Sequence, residues 1–252
     1  KISQTSLTAY WKLDETSGSR ADSKGANTLT DNNTVTYAPG RLSNAGQFTA
    51  ANSEYLSIAD NADLSTGDID FSWSAWVNLD SLNQTGIVSK GDADTSGASP
   101  YNLMYHPSLG SFVFLVGNGA TSQGVVTSSI GAASTGTWYF LVGWHDATAN
   151  TVNIQVNNRT VDSVTYSLGS FDDTYNIVVG ARTNGASPGT PVQFWNGRID
   201  EVAFWKRTLT AAERTQLFED GLDLHGAGSG RIYRQADTTT KIEGTASEKL
   251  TI

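Results

Sequence analysis

The chain has 252 residues, a formal net charge of −9, only 16% charged residues and no cysteine. The acidic balance argues against nonspecific nucleic-acid binding, which needs a basic surface, and the missing thiols exclude disulfides and thiolate metal sites. No apolar run approaches the about 18 residues of a membrane span, so membrane insertion is not expected.

Taken in chain order, strand signals recur from the N-terminus onward, behind a short lead at 1–6. "LTAYWKL" (7–13) opens the set, followed by candidates at 46–49 and 54–58. "FSWSAWVNL" (71–79) puts Phe71, Trp73, Ala75, Val77 and Leu79 on one face, the period-two pattern of a half-buried strand. Segments 86–90, 101–106, 111–116 and 124–129 follow. "TWYFLVGWHD" (137–146) then alternates Trp138, Phe140, Val142 and Trp144, which reads as a second core face. "TVNIQVNNRTVDSVTY" (151–166) reads as two strands around Asn157-Asn158, since Asn accepts positive φ at little cost. Strands at 175–181 and 193–205 close the series. The single convincing helix starts at Thr210-Ala-Ala-Glu213, a capping box, and ends by Gly221.

Many strands and one short helix predict an all-β, two-sheet antiparallel jelly-roll sandwich over residues 1–224. "HGAGSG" (225–230) reads as a linker. The extension at 231–252 favours β structure but has too few large apolar residues to fold alone. It is expected to be either disordered or an exchanged strand.

Several segments occur in a recognisable order: "LTAYWKLDETSG", "ADSKGAN", "GRLSNAGQFTAANSEYLSI", "FSWSAWVNL", "GIVSKGD", "TGTWYFLVGWHD", "VNIQVNN" and "WNGRIDEVAFWKRTLTAAE". From about residue 7 to 222 the chain resembles the laminin-G-like, concanavalin A-like domains of secreted bacterial, environmental and phage proteins. The resemblance implies a concanavalin A-like sandwich, usually a non-catalytic recognition, adhesion or structural module, and many such domains carry one calcium ion. By the same resemblance, Asp22, Asn27 and Asp200 occupy the matching ligand positions for Ca²⁺, a cation that takes six to eight oxygens. The plainer alternative is an Asx-turn at Asp22 and a salt bridge from Asp200 to Arg198 or Arg41.

Asp200 and Glu201 lie side by side in a strand, where neighbours point to opposite faces. On that geometry they do not act as the facing carboxyl pair of a glycosidase, and Asp200 is expected to face inward with Val202 and Phe204. The related glucanases place acids at i, i+2 and i+4, whereas Val202 and Phe204 stand at those positions after Asp200. No enzyme activity is expected. In "GDADTSGASPY" (91–101), Asp92, Asp94, Ser96 and Gly97 imitate the start of an EF-hand loop, but Leu103 stands where the bidentate Glu belongs. A solvated hairpin loop is the better reading, and His145 and Asp146 likewise read as the end of a strand entering the turn "ATANT" rather than as a dyad.

Tyr101, Tyr105, Tyr175 and Trp195 lie near Gly- or Asn-rich turns and are the candidates for glycan contact, since large aromatic rings stack on sugars. The function expected is a non-catalytic extracellular or surface-exposed structural or adhesive module. It is expected to self-assemble, as fibre, envelope or virion surface, with residues 231–252 adding a strand to a neighbouring subunit. A carbohydrate-binding module is the alternative.

Overall fold

A computed structural model describes residues 4–92, 98–127 and 130–221. The chain forms β1 (Leu7–Trp11), β2 (Thr30–Asn32), β3 (Thr36–Pro39), β4 (Asn44–Phe48) and β5 (Tyr55–Ile58). It continues with β6 (Phe71–Leu79), β7 (Thr85–Lys90), β8 (Tyr101–His106), β9 (Ser111–Gly117) and β10 (Ser122–Thr127). Then come β11 (Trp138–Asp146), β12 (Thr151–Val156), β13 (Asp162–Thr165), β14 (Ile177–Val179), β15 (Arg182–Asn184), β16 (Thr190–Val192), β17 (Gly197–Trp205) and α1 (Ala211–Asp220).

One sheet runs β13-β12-β11-β6-β17-β4-β3, with β1 also paired to β17; the other runs β10-β9-β8-β7-β14-β5-β2. This is the two-sheet antiparallel sandwich that the strand pattern predicts, in the concanavalin A-like form that the resemblance implies. None of the described helices is long and apolar enough to cross a membrane. The short strands β2 and β3 escape sequence reading because "TDN" and "TYAP" carry almost no apolar periodicity. Their pairing with β5 and β4 supplies what the pattern lacks.

Phe71, Trp73, Ala75, Val77 and Leu79 of β6 all enter the core between the sheets, as their alternation requires. There Trp73 stacks on Phe204 (4.5 Å between centroids) and on Trp11 (6.3 Å). Strand β11 is apolar on both faces. Its inter-sheet side is Tyr139 and Leu141, whereas Phe140, Val142 and Trp144 belong to a second cluster on the outer face of the first sheet, with Trp138 at its margin. Alternation alone pointed to one core face. The second exists because α1 lays Leu217 and Phe218 over that outer surface.

The helix begins as its sequence dictates. The Thr210 side chain accepts from the Glu213 amide (3.3 Å), and the Glu213 carboxylate accepts from the Thr210 amide (2.9 Å). Asn157 and Asn158 take φ of 50° and 54°, so the β12–β13 turn uses the left-handed freedom of Asn.

Candidate functional site

The two adjacent acids do not behave as strand alternation predicts. The β6–β17 register shifts between Asp200 and Ala203, and Glu201 adopts φ +53°, so Glu201 is the extra residue of a bulge. The parity of the strand flips there. Ile199 and Val202 both face the inter-sheet core, while Asp200 pairs with Trp76 of the outer cluster. The expectation that Asp200 shares a face with Val202 and Phe204 is therefore wrong, because one inserted residue shifts everything after it. The bulge also marks where β17 changes neighbours, from β4 at Gly197–Ile199 to β1 at Val202–Trp205.

Both acids are buried, Asp200 completely. One Asp200 oxygen, Oδ2, accepts the backbone amides of Arg41 (2.7 Å) and Leu42 (3.1 Å), fastening the β3–β4 turn to the sheet. Its Oδ1 has no partner among the described residues. Glu201 accepts from the Tyr10 hydroxyl, and Tyr10 is itself a member of the outer cluster. Burial first, and then the Glu201 charge, push the Asp200 carboxyl well above the usual carboxylate range. A proton on Oδ1 turns an orphaned acceptor into a donor and removes one of two neighbouring buried charges.

Asp22 and Asn27 do meet. Asp22 Oδ1 accepts the amides of Tyr10 (2.9 Å) and Lys24 (2.8 Å), the second closing an Asx-turn. Its Oδ2 accepts the Asn27 amide and side-chain Nδ2, both at 3.1 Å. Four N–H donors occupy the four acceptor positions of a carboxylate, so this acid is satisfied without a cation. Its partners share no residue with those of Asp200, whose partners are backbone amides rather than the Arg41 or Arg198 side chain. Among the described residues no group of three or more His, Asp or Glu side chains is placed to hold a metal. The donor set that the resemblance implies for calcium does not fit as one site.

Of the aromatic candidates, Tyr101, Tyr105 and Trp195 are core residues with at most 2% exposure, so none offers a ring face to a ligand. They lie beside turns because core strands end at turns, a signal that proximity to Gly and Asn cannot separate from exposure. Tyr175 is different. Its ring is partly exposed on the loop that precedes β14, its hydroxyl donates to the Gly185 carbonyl (2.6 Å), and Gly189 packs against the ring.

Next to Tyr175, whose amide donates to Asp173, stands a charged cluster that sequence reading missed. Lys90, at the end of β7, is fully buried, and its ammonium contacts Asp60 (2.7 Å), Asp172 (2.9 Å) and Asp173 (3.5 Å). Burial alone lowers an ammonium pKa, but the hydrogen bonds to Asp60 and Asp172 and the Asp173 charge reverse this and leave Lys90 raised. Asp172 is held low by Lys90 against the upward push of its own burial, whereas burial dominates at Asp173 and raises it. The Asp173 Oδ2 and the Tyr101 hydroxyl are buried beside this cluster without partners among the described residues. The acids come from the loops after β5 and before β14, so only tertiary structure assembles them around a lysine of β7.

The imitation EF-hand loop joins β7 to β8 as a hairpin, and its residues 93–97 lie outside the described residues. His145 and Asp146 are the last two residues of β11, and Asp146 holds the turn that follows by accepting the Ala149 amide (2.7 Å).

Residues 50–213 match the model of the concanavalin A-like lectin/glucanases superfamily. No curated protein matches the chain. Among solved structures, the binding domain of Paraclostridial mosquitocidal protein 1 superposes with a TM-score of 0.65 at 16% identity, over 84% of this chain and 52% of that one. The chain thus spans about half the length of that domain. Domain 4 of AbnA, a GH43 extracellular arabinanase from Geobacillus stearothermophilus in complex with arabinotriose, gives 0.56 at 20% identity, over 84% and 97%. The botulinum neurotoxin serotype D ligand-binding domain with N-acetylneuraminic acid gives 0.58 at 13%, over 85% and 50%. These likenesses are of fold.

Proposed function

Because this chain belongs to the concanavalin A-like lectin/glucanases superfamily, we propose that it is a non-catalytic module of a secreted or surface-exposed protein that binds neutral glycans at the loop end of its sandwich. One observation carries the reading: the buried Lys90 holds three carboxylates in place, two of them reach solvent, and the third, Asp173, accepts the backbone amide of the partly exposed Tyr175 (3.0 Å). Asp172 is 45% exposed and Asp60 25% on their side chains. Fixed acceptors next to a partly exposed aromatic suit a sugar, whose hydroxyls donate while its C–H face lies on the ring. Three carboxylates against one ammonium repel a carboxylated sugar, which favours a neutral one.

The matched arabinanase domain and neurotoxin domain were solved with saccharides, and only that broad class is carried over to this chain. The non-catalytic reading rests on Asp200 and Glu201, which are committed to backbone amides and Tyr10 within a buried bulge.

A glycan array probed with the full chain is expected to show binding to neutral saccharides. Tyr175→Ala and Asp172→Ala are each expected to weaken it at least tenfold while leaving the melting temperature within a few degrees of wild type. An array without hits, or hits that survive both substitutions, would remove the loop-end site.

Self-association through residues 231–252 is a second proposal, although that extension lies outside the described residues. It is favoured by the open edges at β13 and β10, where Val164 of β13 is 37% exposed. A chain ending at residue 224 is expected to stay monomeric in light scattering where the full chain assembles, and a monomeric full chain ends the idea.

A further inference from the structure

On the outer face of the first sheet, at the opposite end from Lys90, one row of side chains crosses five strands. Trp138 of β11 pairs with Asn78 of β6, Asn78 with Arg198 of β17, Arg198 with Gln47 of β4, and Gln47 with Thr36 of β3. Directly paired residues share a face, so the five form a single transverse strip. Asp80 joins it by accepting from the Gln47 side chain (3.3 Å). Four strand spacings make the strip about 19 Å long, the span of an oligosaccharide rather than of one sugar.

Two features separate this strip from ordinary sheet surface. The Asn78 side chain, next to Trp138 in the row, is fully buried, and neither its Nδ2 nor its Oδ1 has a partner among the described residues. Each such buried group is costly unless something pairs it. Its register neighbour Arg198 lies over the partly exposed Trp138 ring, 5.2 Å from the centroid, and donates to the Pro39 carbonyl (3.1 Å). Exposed contacts of this kind are weak, so the guanidinium is easily displaced. Moving it uncovers an aromatic face next to an amide that can both donate and accept.

We infer that this strip is a second binding site, for an extended neutral polysaccharide lying across the strands. One sugar stacks on Trp138, Arg198 turns to its hydroxyls, and Asn78 pairs with the sugar that displaces the guanidinium. Gln47, Asp80 and Thr36 continue the row of donors and acceptors. Arg198 and Asp80 offset each other, so the strip has no net charge to select an anionic chain. It shares with the loop-end reading only the class of ligand, and it uses none of the same residues.

Affinity electrophoresis of the full chain tests this directly. Native gels containing hydroxyethylcellulose or soluble xylan, both neutral, are compared with gels containing polygalacturonate, which is anionic. Retardation is expected in at least one neutral polymer, with Trp138→Ala weakening retention at least tenfold and Asp80→Ala several-fold. Measured in a Tyr175→Ala background, which silences the loop-end site, retardation is expected to persist and to be lost on adding Trp138→Ala. Its complete loss in Tyr175→Ala alone assigns the retardation to the loop end and overturns the proposal. Trp138 packs at the margin of the outer cluster, so Asp80→Ala and Gln47→Ala, at exposed and half-buried positions, decide the matter if the Trp138 variant does not fold. No retardation in either neutral polymer overturns the proposal. Retardation by polygalacturonate alone does so too, as does wild-type retention in Asp80→Ala together with Gln47→Ala.

Discussion

At the scale of single residues, Asp200 shows how a buried acid is tolerated. Two amides hold one oxygen, the other has no partner among the described residues, and Glu201 is its immediate neighbour. Desolvation and that neighbour raise its pKa above the ordinary value near 3.8. A raised carboxyl contributes stability that is complete below the unfolded-state pKa and is lost as pH rises through the folded one. Asp200→Asn keeps an oxygen for the Arg41 and Leu42 amides and removes the charge. The variant is expected to melt at or above the wild-type temperature at pH 7, with the gap closing as pH falls toward 4. A large loss of stability at neutral pH, measured by thermal denaturation across that range, would show the charge itself to be needed there.

Among the elements, α1 and β17 differ in how much of them a linear reading contains. The capping box, the Gly221 terminus and the apolar side of α1 are all local, and all three form as the sequence implies. The Arg207 hydrogen bonds hold Glu213 down at about 2 against its own burial. Sign and window follow from that depression: the contribution is present above the ordinary value near 4.5 and is lost as pH falls toward 2. Thr210→Ala is expected to cost about 1 kcal/mol in urea denaturation, a penalty that shrinks below pH 3 as Glu213 protonates. An unchanged penalty at low pH would assign the cost to the Thr hydroxyl alone. In β17, by contrast, nothing in "GRIDEVAFW" marks Glu201 as an extra residue, because a bulge answers to the partner strands on either side.

For the whole molecule, the question of a metal turns on how the loops assemble. Asp22 is filled by four N–H donors, Asp200 is filled on one oxygen, and the two have separate partners. Removal of divalent ions with a chelator is therefore expected to leave the melting temperature unchanged. A fall of several degrees, restored by calcium, would reinstate the ion and require the Asp22 loop to rearrange. The same assembly gathers Asp60, Asp172 and Asp173 from separate loops around Lys90. It also draws Trp138, Asn78, Arg198 and Gln47 into line across four strands.

The amino-acid sequence by itself determined the fold class, the core face of β6, the Asn157-Asn158 turn and the capped helix. Each of these is written in contacts between residues a few positions apart, through period-two alternation, positive-φ residues and capping chemistry. Only the tertiary structure decided which face of β17 carries Asp200, that β11 is covered on both sides, and that Tyr101, Tyr105 and Trp195 are core while Trp138 lies at the rim. Burial of an aromatic depends on what another part of the chain lays over it, and strand parity depends on register with neighbours far away in sequence. Both candidate binding sites are of that second kind, built from side chains that meet only once the sheets have paired.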